Sequence, residues 1–206
     1  MKRVVVSAIS LLAASAALAD LAGSLSSSAN QLDGTGVWVD SCRLKPSLRP
    51  SWFPATISWE VSRNPDNSWH YLYELEVYEG DLSHLIIETS ETFTESDIFN
   101  ASRDYELGLH RTSSGNPGMP GDLFGLKFDG LDDTSVVVEF DSWRAPMWGD
   151  FYAKGGKPFG RQCAVWNAGF EDPDPLFSLN GPAAWDHLLV PDTSPMAAPV
   201  PAPPSL

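Results

Sequence analysis

Cysteine is scarce in this sequence: Cys42 and Cys163 are the only two in 206 residues. They form no Cys-x-x-Cys pair, and neither has a histidine close in sequence, which weakens any cysteine-based zinc site. Histidine is scarce too. His70, His84, His110 and His187 are scattered, with no His-x-His or His-x-x-x-His pair, so no metal motif can be read from spacing. Basic residues are few: 13 Lys and Arg stand against 27 Asp and Glu, for a net charge of −14. Phosphate backbones and anionic lipid repel so acidic a chain, which argues against nucleic-acid partners and leaves neutral glycans and divalent cations open. The sequence has no Gly-x-Ser-x-Gly elbow, no P-loop and no dinucleotide fingerprint. Past residue 20 no segment carries the apolar stripe of a three-turn helix, and there is no internal repeat.

The N-terminus does carry a pattern. Met1-Lys2-Arg3 precedes an apolar run over residues 4–12, and Ala17-Leu18-Ala19 fits the small-x-small rule of signal peptidase. The run is short for a bilayer span and no charged stop follows it, so residues 1–19 read as a signal peptide. The expected location is outside the cell or at its surface, with no stable membrane span in the mature chain. In an exported chain the two cysteines read as one disulfide, Cys42–Cys163. The loop it would close is long, so chain entropy allows up to ~5 kcal/mol of stabilisation. Residues 20–36 are small and polar and read as a flexible leader. Residues 191–206 are rich in Pro and Ala and read as an extended tail. One domain is left between them, residues 37–190.

Strand signals dominate that domain. Residues 55–61 alternate apolar and polar, Asn64-Pro65-Asp66-Asn67 marks a turn, and residues 69–78 alternate again over ten positions. On that second run Trp69, Tyr71, Tyr73, Leu75 and Val77 share the face expected to enter the core. Further strands are predicted over 84–89, 105–110, 123–128, 135–143, 151–154 and 163–167. Residues 94–99 read as a short helical turn capped by Thr94, with Asp97 at its third position. Short strands separated by turns predict an all-β, single-domain antiparallel β-sandwich or jelly roll.

Two kinds of residue carry candidate chemistry. Carboxylates two apart on one strand face, Glu74 with Glu76 and Glu139 with Asp141, have the residue types of a glycosidase pair and also those of an ordinary solvent-facing strand. Asp129-Gly130-Leu131-Asp132-Asp133 and Asp172-Pro173-Asp174 are acidic turns whose oxygens suit calcium, though neither has the spaced Asp-x-Asp-x-Asp-Gly loop. No other cofactor is implied. Eight tryptophans are more than one core of this size requires. Flat aromatic faces stack on sugar rings while acidic neighbours bond the hydroxyls. The segment that mixes these features most densely supplies the candidate ligand residues Trp143, Arg144, Trp148, Asp150 and Tyr152. The alternative is a packed loop with Arg144 paired to Asp150.

That segment also carries a resemblance. Ala145-Pro146-Met147-Trp148-Gly149-Asp150-Phe151-Tyr152-Ala153-Lys154 is similar to a block in bacterial exported proteins of uncharacterised function that often bear a PEP-CTERM sorting tail. Four further stretches extend the likeness over about residues 37–192. These are Leu82-Ser83-His84-Leu85-Ile86-Ile87-Glu88 with Phe93-Thr94, Asn116-Pro117-Gly118-Met119-Pro120 before Phe124-Gly125-Leu126-Lys127, Trp166-Asn167-Ala168-Gly169-Phe170, and Leu189-Val190-Pro191-Asp192. Val200-Pro201-Ala202-Pro203-Pro204-Ser205 resembles the start of the family's tail, with Ala202 in place of its glutamate. The resemblance implies export and supplies no catalytic residue. The expectation is therefore a secreted, non-catalytic β-sandwich associated with surface or matrix polysaccharide. A glycan-cleaving enzyme using Glu139 and Asp141, and a purely structural surface protein, are the alternatives.

Overall fold

The computed structural model describes residues 21–36, 38–39, 55–156, 162–178 and 181–191. The expected signal peptide, Cys42 and hence the expected disulfide, and the tail beyond Pro191 lie outside the described residues.

The fold is an all-β sandwich in which every strand pairing is antiparallel. The first sheet has the order β1 (Leu21–Ser26), β3 (Thr56–Arg63), β4 (Trp69–Glu76), β9 (Ser135–Ser142), β6 (Ile98–Phe99). The second runs β2 (Leu32–Thr35), β12 (Ala164–Asn167), β11 (Phe151–Gly155), β5 (Leu82–Glu88), β8 (Leu123–Asp129), β7 (Glu106–His110). A two-stranded ribbon pairs β10 (Pro146–Gly149) with β13 (Leu188–Pro191). No helix among the described residues is long and apolar enough to cross a membrane.

Period-two patterning explains the first sheet. Trp69, Tyr71, Tyr73 and Leu75 of β4 are buried, while His70, Leu72 and Glu74 lie on the opposite face. β9 aligns with β4 so that Phe140 faces Tyr71 and Val138 faces Tyr73. The layers meet where Phe140 of the first sheet stacks on Phe128 of the second, centroids 6.2 Å apart. Full burial of each such side chain contributes about 1.5–3 kcal/mol. The tyrosine hydroxyls reach carbonyls: Tyr71 Oη donates to Arg144 O and Tyr73 Oη to Leu189 O, both at 2.8 Å. The second bond ties the ribbon to the first sheet.

β5 and β11 are buried on both faces. Leu85, Ile87, Phe151 and Ala153 enter the main core. Ile86 and Tyr152 pack outward under Met119, Trp166 and Phe170. That double burial is why residues 84–89 read as a continuous apolar run rather than an alternating one.

Three expectations need correction. Residues 20–36 contain two edge strands rather than a flexible leader. β1 pairs with β3 over six residues, and β2 pairs with β12 over four. Leu25 and Leu32 are 1% exposed and belong to the core. The small residues of β1 have a packing reason: the Trp59 indole lies over Gly23, and a Cβ there would overlap its ring. The sandwich also continues through Pro191, which pairs with Pro146, so the extended tail does not start there. Finally, the Thr94 cap closes a turn and no helix. Asp97 N donates to Thr94 O, while Asp97 Oδ2 accepts from Thr94 N and Thr94 Oγ1 at 2.8 and 2.9 Å. Ile98 and Phe99 then extend to pair with β9.

Candidate functional site

The five residues singled out around the Trp148 block do not share one surface. Tyr152 is fully buried and its Oη donates to Pro117 O at 2.9 Å. Trp148 is buried edge-on against Trp59 and Phe177, at 6.2 and 6.0 Å. Arg144 pairs with Asp97, not with Asp150. Its Nε lies 3.0 Å from Asp97 Oδ1, its Nη2 donates to Asp97 Oδ2 at 3.1 Å and to Thr92 O at 2.6 Å, and its guanidinium covers the Phe93 ring. Asp150 is buried among other carboxylates. Only Trp143 presents a face to solvent, at 54% exposure.

Trp143 stands at the end of β9, on the outer face of the first sheet. Phe99 packs beside it with ring centroids 5.1 Å apart. Phe99 is opposite Asp141 in the β6–β9 register, and Asp141 is opposite His70 in the β4–β9 register. An aromatic pair thus borders a polar cluster centred on Asp141. Asp141 Oδ1 accepts from Asn64 Nδ2 at 3.1 Å and lies 2.9 Å from His70 Nδ1, while Oδ2 accepts from Asn100 Nδ2 at 2.7 Å. Partial burial pushes the Asp141 carboxyl up, but the bonds from Asn100, His70 and Asn64 outweigh it, and its pKa ends below the ordinary value. The predicted turn at residues 64–67 positions Asn64: Asn67 N donates to Asn64 O, and Asn67 takes the left-handed conformation that asparagine tolerates. Asn100 adopts the same conformation where the chain leaves β6.

The Glu139–Asp141 pair brackets an imidazole. His70 Nε2 is 3.9 Å from Glu139 Oε2 and its Nδ1 is bound to Asp141. A ring lies where a scissile bond would have to lie, and the lowered Asp141 pKa suits a stable anion better than a general acid.

Behind the ribbon, residues from separate segments build an acidic cluster in which Asp150, Asn167 and His187 are buried, Glu88 and Asp186 half-buried and Asp174 exposed. Glu88 ends β5, Asp150 links β10 to β11, Asn167 ends β12, Asp174 lies on the segment over residues 171–178, and Asp186 and His187 precede β13. Asp150 N donates to Glu88 Oε2 at 2.8 Å, and Asn167 Nδ2 donates to Asp150 Oδ1 at 2.6 Å and to Asp186 O at 3.0 Å. Burial pushes the Asp150 carboxyl up to about 8, against the Asn167 bond and reinforced by Glu88, Asp174 and Asp186. Burial and Asp174 raise Glu88 to about 7, and burial raises Asp174 as well. Asp150, Asp174 and His187 each offer a donor atom, all within 4.8 Å of one another. Of the two acidic turns read for calcium, only the second contributes to this grouping, through Asp174.

A cavity of about 400 Å³ opens beside this ribbon, walled by Trp59, Trp148, Phe177 and Trp185, with Ser24 and Gln31 at its polar side. No sequence signal pointed to this wall, because β1, which forms one side of it, is built of small residues that resemble a linker. Comparison of the chain with protein-family models, with curated proteins and with solved structures gave no match.

Proposed function

We propose that this chain is a non-catalytic, exported β-sandwich that associates with extracellular or cell-surface polysaccharide. The contact surface in this reading is the outer face formed by Trp143, Phe99, Asp141, Asn100, Asn64 and His70. The observation that carries it is the juxtaposition of a half-exposed tryptophan with a carboxylate held by two amides and an imidazole. A sugar ring offers an apolar face and a rim of hydroxyls. Trp143 supplies a flat apolar partner, and Asn100 uses only one amide hydrogen on Asp141, keeping its carbonyl and second hydrogen for hydroxyls. The acidic charge of the chain disfavours polyanionic ligands and points to neutral glycans.

The test is retention of the protein in gels cast with neutral polysaccharides, compared with Trp143→Ala and Asn100→Ala. Loss of one stacking contact corresponds to roughly 0.5–1.5 kcal/mol, or up to about tenfold in affinity. Retention lost in both variants at unchanged melting temperature supports the reading. Retention unchanged in both removes this surface from consideration.

A further inference from the structure

The side chain of His187 is 2% exposed, and its two ring nitrogens have different surroundings. Nδ1 lies 2.9 Å from Asp186 Oδ1, a hydrogen bond that in the neutral ring puts the proton on Nδ1 and the lone pair on Nε2. Nε2 has no hydrogen-bond partner. It faces two carboxylate oxygens, Asp150 Oδ1 and Asp174 Oδ1, each at 3.9 Å. At 3.9 Å neither oxygen is within hydrogen-bond reach of Nε2, so this buried nitrogen faces two carboxyl oxygens without bonding either. Among the described residues no lysine or arginine pairs with Glu88, Asp150 or Asp174.

We propose that Asp150, Asp174 and His187 bind a divalent transition-metal ion of the zinc type. Donor atoms held at about 2.0–2.2 Å from one ion lie roughly 3–4 Å from each other, so the observed spacing is that of a slightly open cage that a small inward movement closes. The neutral ring held by this bond presents Nε2 for ligation, and the Asp186–His187 bond is the carboxylate–histidine support that orients metal-bound imidazoles. Asn167 holds Asp150 in a similar way, its amide bridging Asp150 Oδ1 and Asp186 O. Gly169 lets the chain pass against the His187 ring, where a Cβ would overlap Cε1. The nitrogen donor decides the class of ion. Calcium prefers about six to eight oxygens, whereas an imidazole with two carboxylates suits zinc and its neighbours, with water at a fourth position. Asp174 is the open side, its side chain 30% exposed, and provides the way in. Because Phe177 lies three residues further on and packs on Trp148, the ion would clip this segment onto the ribbon as a structural fastener.

The experiment uses the full chain, stripped with chelator, in calorimetric titrations with zinc, manganese and calcium chlorides and in parallel thermal melts. The expected result is one zinc ion per chain at micromolar affinity or tighter, and a melting temperature raised by several degrees in excess zinc. Asp174→Asn changes the most accessible of the three ligands and should fold. It is expected to weaken zinc at least tenfold while leaving the melting temperature of the metal-free protein unchanged. His187→Asn should abolish binding, and cobalt in the wild type should give the visible absorption of a four-coordinate site. Absence of zinc binding to folded wild type, zinc binding that survives both substitutions, or binding of calcium in preference to zinc would each overturn the proposal.

Discussion

Arg144 Nε stands 3.0 Å from Asp97 Oδ1, and the same guanidinium donates to the Thr92 carbonyl. The two side chains are 11% and 18% exposed. This pair fastens the turn before β6 to the corner after β9, where the β6–β9 pairing and the Trp143 N to Asp97 O bond set Phe99 beside Trp143. Arg144→Ala leaves the Asp97 carboxylate and the Thr92 carbonyl without their partner. It should cost about 2–4 kcal/mol in urea unfolding. Partial burial raises the Asp97 carboxyl, but Arg144 and Thr94 outweigh it and its pKa is lowered. Its contribution is therefore present above the ordinary carboxylate range and is lost as pH falls through the lowered folded value. Arg144→Lys, lacking the planar fork, should recover only part of the loss.

Trp148 and Trp143 are close in sequence and should respond differently to truncation. Trp148 is 6% exposed and wedged between Trp59 and Phe177. Trp148→Ala should destabilise by about 3–5 kcal/mol. Trp143→Ala removes a half-exposed ring and should cost less than about 1 kcal/mol. Chemical unfolding of the two variants side by side checks this, and equal losses would contradict the packing described above.

The β1 strand makes a separate prediction. Gly23→Val should press a branched side chain into the Trp59 indole and destabilise by about 1–3 kcal/mol. Ser24→Val, one position along the same edge strand and exposed, should be nearly neutral. If residues 20–36 were a flexible leader, neither change would alter the melting temperature.

His84 supplies a pH dependence with a definite sign. It is 3% exposed, and burial, reinforced by Lys127 and Lys154 and opposed by Asp129, lowers its pKa from the usual 6.5 to about 4. As pH falls below 6.5 the unfolded chain takes up a proton that the folded chain refuses until about pH 4. Stability is thus lost across that window as pH falls, by up to about 3 kcal/mol. Glu88 and Asp150, whose pKa values are raised, act in the opposite direction as pH falls through their folded values. The difference between wild type and His84→Leu isolates the histidine: the variant should lose less stability between pH 6.5 and about 4. Parallel curves for the two proteins would refute the assignment.

The legibility of this fold in its sequence follows burial geometry. β4 and β9 alternate because one face meets the core and the other meets water, so the inward placement of Trp69, Tyr71, Tyr73 and Leu75 follows from alternation alone. β1 escaped because the Trp59 indole over Gly23 leaves no room for a side chain there, and Leu-Ala-Gly-Ser-Leu-Ser reads like a linker; β2 is only four residues long, Leu-Asp-Gly-Thr, too short for alternation to show. The exposure of an aromatic is set by which layer covers it, so Trp143, Trp148 and Tyr152 are indistinguishable in sequence. The Glu88, Asp150, Asp174 and His187 cluster is drawn from four distant segments. Asp150 stands out locally only as part of the aromatic block and Asp174 only as part of an acidic turn; nothing in sequence joins them, and four scattered histidines give no spacing to read.

Binding of a neutral glycan to the outer face beside Trp143 is tested most directly by mapping the contact with NMR. Isotope-labelled protein titrated with soluble cello-, manno- and xylo-oligosaccharides should show shifts concentrated at the Trp143 indole, Phe99, the Asn100 amide and Asp141. Shifts concentrated instead at Trp59, Trp148 and Trp185 would transfer the site to the cavity beside β1. No shifts with any neutral oligosaccharide would contradict the glycan-binding account.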